Sequence, residues 1–236
     1  MAEAGASHPS RLIGVVREGF LVSFRTPYGM TSEWAPELER SVDVFLLDRN
    51  GRRKKGLPLA SLPERESITK STASTMSVSV MPFGRIPQFT LGPDELLYSG
   101  WNDAIKITVQ SMDGATQRIL EHELEALPVT SADLSELFDN ASEGRRRTLR
   151  ETTLPKTKPA YRQFVVADDG RLWVQLSAEH GASTAACLIL NADGSVLDTV
   201  DLPSGLRLEA IRHEKAYGVL TTDDGIPLVA GYAITM

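Results

Sequence analysis

Cysteine is almost absent from this chain. A single residue, Cys187, among 236 excludes an intramolecular disulfide framework and any zinc site built from several thiolates. It lies in the apolar run AACLIL, where a free thiol behaves as a small core hydrophobe. Histidine is also sparse: His8, His122, His180 and His213 are scattered, with no H-x-H or H-E-x-x-H spacing of the kind metal chemistry uses. The acidic turns Asp168-Asp169-Gly170 and Asp223-Asp224-Gly225 lack the spaced oxygen ligands and distal Glu of a calcium loop. There is no G-x-S-x-G elbow, phosphate-binding loop or dinucleotide-binding glycine pattern, so the motifs point to no cofactor, metal or catalytic set. No stretch of about 18 apolar residues occurs, and the start, MAEAGASHPSRLIGVV, lacks a charged leader followed by an apolar core. No membrane span is expected, and the default placement of the chain as written is cytoplasmic. The net charge of -6 argues against general affinity for nucleic acid, which needs a basic field.

What the chain does contain is ordinary for a folded protein, with 42% hydrophobic and 24% charged residues. Its clearest pattern lies in residues 160–203, where two hairpins of one design follow each other, the first turning on Asp169-Gly170 and the second on Asp193-Gly194. Gly tolerates positive φ and Asp bonds its own backbone, so Asp-Gly between β-rich runs is a strong hairpin signal. Four successive antiparallel strands make one small sheet. The same unit recurs upstream and downstream. Strands are expected at 12–16 and 20–24, then, after the loop TPYGMTSEWAPELER, at 42–47, with Asn50-Gly51 turning into a basic return strand, Arg52 to Lys55. Such a strand suits an edge, where Lys and Arg discourage pairing with other chains. Residues 62–77 turn to Ser, Thr and Glu and read as a connector. A second unit spans 77–120, with strands at 78–81, 86–91, 96–99, 105–109 and 116–120. A fourth, from 206 to 235, shows only three strands: 206–212, 216–220 and 228–234.

Between 121 and 153 the apolar period changes from two to about 3.6. Leu134, Leu137, Phe138 and Ala141 form a helical stripe, with Thr130 or Ser131 as N-cap and Asp133 in the first turn. A helix over 131–142 follows, stopped by Glu143-Gly144. Arg145, Arg146, Arg147 and Arg150 then stand beyond its C-terminal end, where they complement its dipole.

Tandem units of about 40–50 residues, each of about four short strands with Asp-Gly turns, are the pattern of an all-β propeller. A β-sandwich is the alternative. The units recur in tandem rather than in Greek-key order, and each closes on a polar turn before an apolar strand restarts, which favours the propeller. Residues 1–11 read as a loose terminus and 12–236 as one propeller-type domain. Its blades fall at about 12–63, 77–120, 160–203 and 206–235, with a helical insertion at 121–153.

The segments VMPFGRIPQFTLGPDELLYSGWNDAIKITVQSMDGATQRIL, LPVTSADLSELF, PAYRQFVVADDGRLWV and ILNADGSVLDTVDLPSGLRLEAI, in that order and with the helical insertion, resemble bacterial six-bladed β-propeller proteins of the NHL and TolB-like kind. The resemblance implies an export signal and two further blades, neither of which this chain shows, so the four blades read as the last four of six. Open terminal blades would then leave Leu12, Ile13, Val15, Leu228 and Val229 partly exposed and permit self-association through blade edges. A closed four-bladed ring is the rival arrangement.

The functional expectation is a scaffold whose loops bind a protein or a small ligand, with a propeller lyase or hydrolase as the alternative. Trp173, flanked by Leu172 and Val174, reads as packing between blades. Tyr98, Tyr161 and Trp34 could line a groove. The candidate loop contacts are Trp101 and Asp103, which follow Gly100 at a strand end, and Glu179 and His180, which sit in a Gly-flanked loop between strands.

Overall fold

The computed structural model describes residues 8–25, 40–71, 76–221 and 224–234. The expected loop at 26–39, Trp34, most of the loose N-terminus, Asp223 and the last two residues lie outside the described residues.

Four separate antiparallel sheets follow one another along the chain, each meandering from an inner first strand outward. The first holds β1 (His8–Val16), β2 (Gly19–Arg25), β3 (Ser41–Leu47) and β4 (Ala60–Pro63). A two-stranded hairpin, β5 (Ser67–Ser71) and β6 (Met76–Val80), comes next. The second sheet holds β7 (Pro87–Leu91), β8 (Leu97–Trp101), β9 (Ile105–Gln110) and β10 (Thr116–His122), and is followed by helices α1 (Ser131–Asp139) and α2 (Glu143–Arg150). The third consists of β11 (Tyr161–Val166), β12 (Leu172–Leu176), β13 (Thr184–Leu190) and β14 (Val196–Pro203). The fourth has three strands, β15 (Leu206–Arg212), β16 (Lys215–Thr221) and β17 (Pro227–Ala233). Residues from the first strands β1, β7, β11 and β15 line one shared cavity of about 440 Å³. Four meandering sheets with their first strands around a common axis are the blades of a propeller.

One turn geometry recurs in several of these hairpins. In Asp48–Arg52, Ser111–Ala115, Ala167–Arg171 and Asn191–Ser195 the first and last residues exchange a backbone bond, and the glycine N–H returns to the first carbonyl. Gly51, Gly114, Gly170 and Gly194 all have φ between 78° and 89°, the left-handed conformation that closes a three-residue loop. Asp113, Asp169 and Asp193 each accept the N–H two residues on, the local bond for which Asp is favoured in turns. The 92–96 turn repeats the pattern with Glu95 at the left-handed position, φ 57°.

Packing follows the period of two. In β12, Leu172 and Val174 enter the core between the second and third sheets with Ile105, Ile107, Tyr161 and Leu190. Trp173, between them in sequence, enters the opposite core with Cys187, Ile189, Leu206 and Leu208. The strand is therefore buried on both faces, and each such side chain contributes about 1.5–3 kcal/mol. A third core, with Val16, Leu21, Val44 and Leu97, joins the first sheet to the second. There β1 comes so near β7 that a Cβ on Gly14 would lie 2.6 Å from Leu91.

Neighbouring blades are also joined by side-chain amides on their first two strands. Gln88 donates to the Arg162 carbonyl and accepts from Phe164 N–H at 3.1 Å. Gln163 donates to the Leu208 carbonyl (2.8 Å) and Gln175 to that of Leu206 (2.9 Å). These amides satisfy backbone groups at strand edges that would otherwise be orphaned.

Several expectations are corrected. Arg52 to Lys55 do not form a strand: only Arg53 bridges, to Leu47, and the fourth strand of the first sheet is β4. The basic run has other partners. Arg53 lies over the rings of Phe24 and Phe45, Lys54 pairs with Glu18, and Lys55 donates to the Asp113 carbonyl in the next blade. The expected connector at 62–77 supplies the end of β4 and most of the β5–β6 hairpin, so the strand expected at 78–81 belongs to that hairpin and the second sheet starts at Pro87. The helix expected over 131–142 ends at Asp139, and the arginine run is itself α2. Arg146 nevertheless caps α1, donating to the Phe138 and Asp139 carbonyls. The first strand includes His8 to Arg11, which the sequence assigns to the loose terminus.

At the two ends of the blade series Leu12, Val15, Leu228 and Val229 are exposed, Val229 by 84%. Ile13 is partly exposed, with part of its side chain packed against the core beneath the first sheet. Among the described residues the first and fourth sheets share no strand pairing.

Candidate functional site

A concavity of about 1310 Å³ opens between α1 and the 177–183 loop that links β12 to β13, with Pro159 and Arg162 among its lining residues. Its α1 wall starts from a reciprocal cap. Thr130 has extended backbone and its hydroxyl accepts from Asp133 N–H at 3.2 Å, while Asp133 Oδ2 accepts from Thr130 N–H and Oγ1, both at 2.8 Å. This capping box satisfies donors at the helix start. The other carboxylate oxygen, Oδ1, meets Lys158 Nζ at 2.7 Å, and both side chains are buried, 6% and 10% exposed. Lys158 also donates to the Ala178 carbonyl at 2.9 Å. One ammonium group therefore ties the two walls together.

Burial pushes the Asp133 carboxyl up, but hydrogen bonds from Lys158 and Thr130 outweigh it and bring it down to about 2 from 3.8. His180 stands at the edge of this pair, with Nδ1 3.7 Å from Asp133 Oδ1 and 3.3 Å from Glu136 Oε2. Glu136, Asp139 and Glu179 add exposed carboxylates to the rim. Lys158 is committed to Asp133, and Arg162 donates to the Ser204 carbonyl. The cleft thus presents an acidic rim beside one histidine.

Of the residues singled out from sequence, Glu179 and His180 both line this cleft. Asp103 lies in a neighbouring cleft of about 760 Å³ with Lys106, Glu121 and His122. Trp101 is half-buried at the end of β8, opposite Pro87, and lines neither cleft. Its neighbour Asn102 is buried and structural, donating to the Tyr161 carbonyl (2.9 Å) and accepting from Ile86 N–H (2.7 Å). Tyr98 and Tyr161 are core residues. Glu136, Lys158 and Arg162 were not marked by sequence. Asp133 was marked only as a helix-start residue, and the T-x-x-D spacing reports a cap, not a cleft. Among the described residues, no group of three or more His, Cys, Asp or Glu side chains is arranged to hold a metal ion, and no helix is long and apolar enough to cross a membrane.

No protein-family model matches the sequence, and no curated protein matches it significantly. Among solved structures the chain is similar to a puromycin hydrolase, with 14% identity over 92% of this chain and 26% of that one and a TM-score of 0.43. It is similar to a protein of unknown function from Bacteroides caccae, with 14% identity over 96% of this chain and 54% of that one and a TM-score of 0.39. It is also similar to a virginiamycin B lyase from Staphylococcus aureus, with 12% identity over 98% and 85% and a TM-score of 0.31. The chain thus spans about a quarter of the first and about half of the second. The assignment as a propeller rests on the sheet topology described above.

Proposed function

We propose that this protein is a propeller-based binding module whose cleft between α1 and the 177–183 loop receives a polypeptide segment carrying a basic side chain. The observation that carries the reading is the composition of the cleft. Glu136, Asp139 and Glu179 line it, while its lysine is committed to Asp133. At about 1310 Å³ it exceeds the 300–1,000 Å³ of a small-molecule pocket, which suits an extended segment. The test is an array of short peptides with Lys or Arg at each position, probed with the intact chain. Binding of basic peptides that weakens on Glu136→Gln and Glu179→Gln supports the reading; equal binding of acidic peptides sinks it.

A second reading, a lyase or hydrolase, is favoured by one observation, the approach of His180 to Glu136 at 3.3 Å, since a carboxylate-oriented imidazole is a general base. Turnover of an activated ester lost in His180→Ala, with peptide binding retained, would replace the binding reading by this one.

The resemblance to six-bladed NHL- and TolB-like propellers enters here as a proposal: the four sheets are read as four of six blades. The uncovered apolar residues at the two ends, Leu12 and Val15 on β1 and Leu228 and Val229 on β17, support it. Concentration-dependent association of the chain in sedimentation, abolished by Val229→Glu, is the expected behaviour of such a face.

A further inference from the structure

The axial cavity holds a second site, distinct from the cleft. Three of the four inner strands bring an arginine to it near their N-terminal ends: Arg11 on β1, Arg162 on β11 and Arg207 on β15. β7 contributes Gln88 at the corresponding place. Three arginines from three blades face one cavity of about 440 Å³ in a chain whose net charge is -6. Among the described residues the only carboxylate lining it is Glu209, which takes the Nε–H of Arg207 at 2.6 Å. The cavity therefore carries a local charge of about +2, and charges in a concave site focus the field on whatever enters.

The backbone aims two of these residues. β1 and β11 each have a bulge beside the arginine, between Pro9 and Arg11 and between Tyr161 and Gln163, whereas in β15 the irregularity falls at Glu209 and Arg207 stays in register with Val219. A bulge re-aims a side chain out of the regular pleat. Arg162 is itself the extra residue in β11. It donates to the Ser204 carbonyl, which holds it at the boundary between cavity and cleft. Among the described residues Arg11 has no side-chain hydrogen-bond partner, so its fork is open to a ligand. Guanidinium forks match the planar oxygens of a carboxylate or phosphate in paired hydrogen bonds, which a lysine cannot do.

We propose that the channel end ringed by Arg11, Arg162 and Arg207 binds a small multivalent oxyanion, a di- or tricarboxylate or a phosphate group. Like-charged arginines converging from separate blades are held apart by the scaffold, and an anion between them removes their mutual repulsion. The volume falls within the range of small-molecule sites.

Isothermal titration of the intact chain at low salt, with citrate and with inorganic phosphate as separate probes, tests this. Saturable binding of at least one probe is expected, weakened by sodium chloride, and the preferred probe identifies the carboxylate or the phosphate source. Arg11→Gln and Arg207→Gln should each weaken it by about tenfold or more, while Arg150→Gln, an equal charge change on the exposed surface of α2, leaves it unchanged. Thermal melts of the variants establish that they fold. No saturation by either probe up to about 20 mM, or the same weakening in Arg150→Gln, overturns the proposal. Glu136→Gln, which alters only the cleft, should leave anion binding intact, so failure of the cleft reading and failure of this one are separable.

Discussion

Replacing Asp133 by Asn tests the most heavily bonded group in the cleft. The side chain keeps its shape and can still accept from Thr130, but the charge opposite Lys158 is gone. The sign of the pH effect follows from the depressed carboxyl. Its folded value of about 2 lies below its ordinary value of 3.8, so the folded state holds the ionised form more firmly than the unfolded chain does. That contribution is fully present above about pH 4 and is lost as the pH falls through 2. A depression of that size corresponds to about 2 kcal/mol. Removing one member of a buried pair also leaves the other charge uncompensated, a loss of about 3–5 kcal/mol in fully buried cases. Lys158 keeps its bond to the Ala178 carbonyl, so the expected cost at pH 7 is about 2–4 kcal/mol. In a chain of this size that lowers the melting temperature by about 4–16 °C. Thermal denaturation followed by circular dichroism at pH 7, 4 and 2.5 measures it. The gap between wild type and variant should be widest at pH 7 and close by about 2 kcal/mol toward pH 2. The double variant with Lys158→Met should recover part of the loss, because no charge is then left alone. A gap that is absent at neutral pH, or that does not change with acid, would refute the claim that this pair is buried and ionised.

Three further outcomes follow from single groups. The Tyr161 hydroxyl is fully buried and has no hydrogen-bond partner among the described residues, and burial and Asp103 push its ionisation upward; Tyr161→Phe should change stability in urea by no more than about 0.5 kcal/mol, or raise it. Burial pushes the Cys187 thiol up to about 12, so iodoacetamide at pH 8 should label the denatured chain and leave the native one unlabelled over the same time. The β15–β16 turn places His213 and Glu214 at φ 51° and 56°, a two-residue turn that prefers Asn-Gly; His213→Asn with Glu214→Gly should raise the melting temperature, by about 1–2 kcal/mol of stability, and a fall would show that the turn is held by contacts beyond its backbone.

Asp-Gly and Asn-Gly turns were legible because the left-handed position they close was filled by the one residue that adopts it freely. Where the chain uses Glu95 or His213-Glu214 at such positions, composition is silent. Glu95 shows why the rule is broken there, since its carboxylate accepts from Arg17 N–H at 2.9 Å in the neighbouring blade. The arginine run was legible as charge and not as helix, because EGRRRTLR has only Leu149 to bury and its stability comes from tertiary partners. β5 was missed for a related reason: SITKS carries the polar composition of a connector, and without it the strand read at 78–81 falls to the second sheet rather than to its real partner, as β6. In the site, Glu179 and His180 could be read from a Gly-flanked loop. The opposite wall could not, because Asp133 and Glu136 stand more than 40 residues away and meet His180 only through the fold.

That distance bears on how the cleft is held. The α1 wall is not part of any blade. Its apolar side, Leu137 and Phe138, packs with Ala141, Leu149, Leu154, Met81 and Ile68 in a small core of its own, so α1, α2 and the β5–β6 hairpin form one substructure. Polar bonds fasten that substructure to the remainder of the chain: Arg85 donates to the Thr157 carbonyl at 2.9 Å, and Lys158 meets Asp133 at 2.7 Å. Both fall on the segment that leads into β11. Exposed pairs such as Lys70–Glu151 add little, so the buried Asp133–Lys158 pair sets where the helix stands over the third blade. Through the Ala178 carbonyl the same ammonium positions the loop bearing Glu179 and His180. The two walls of the cleft are therefore adjusted by one group. A ligand that draws Lys158 from either partner shifts helix and loop together, whereas the channel arginines, carried on the inner strands of the blades, stay where the cores between sheets fix them.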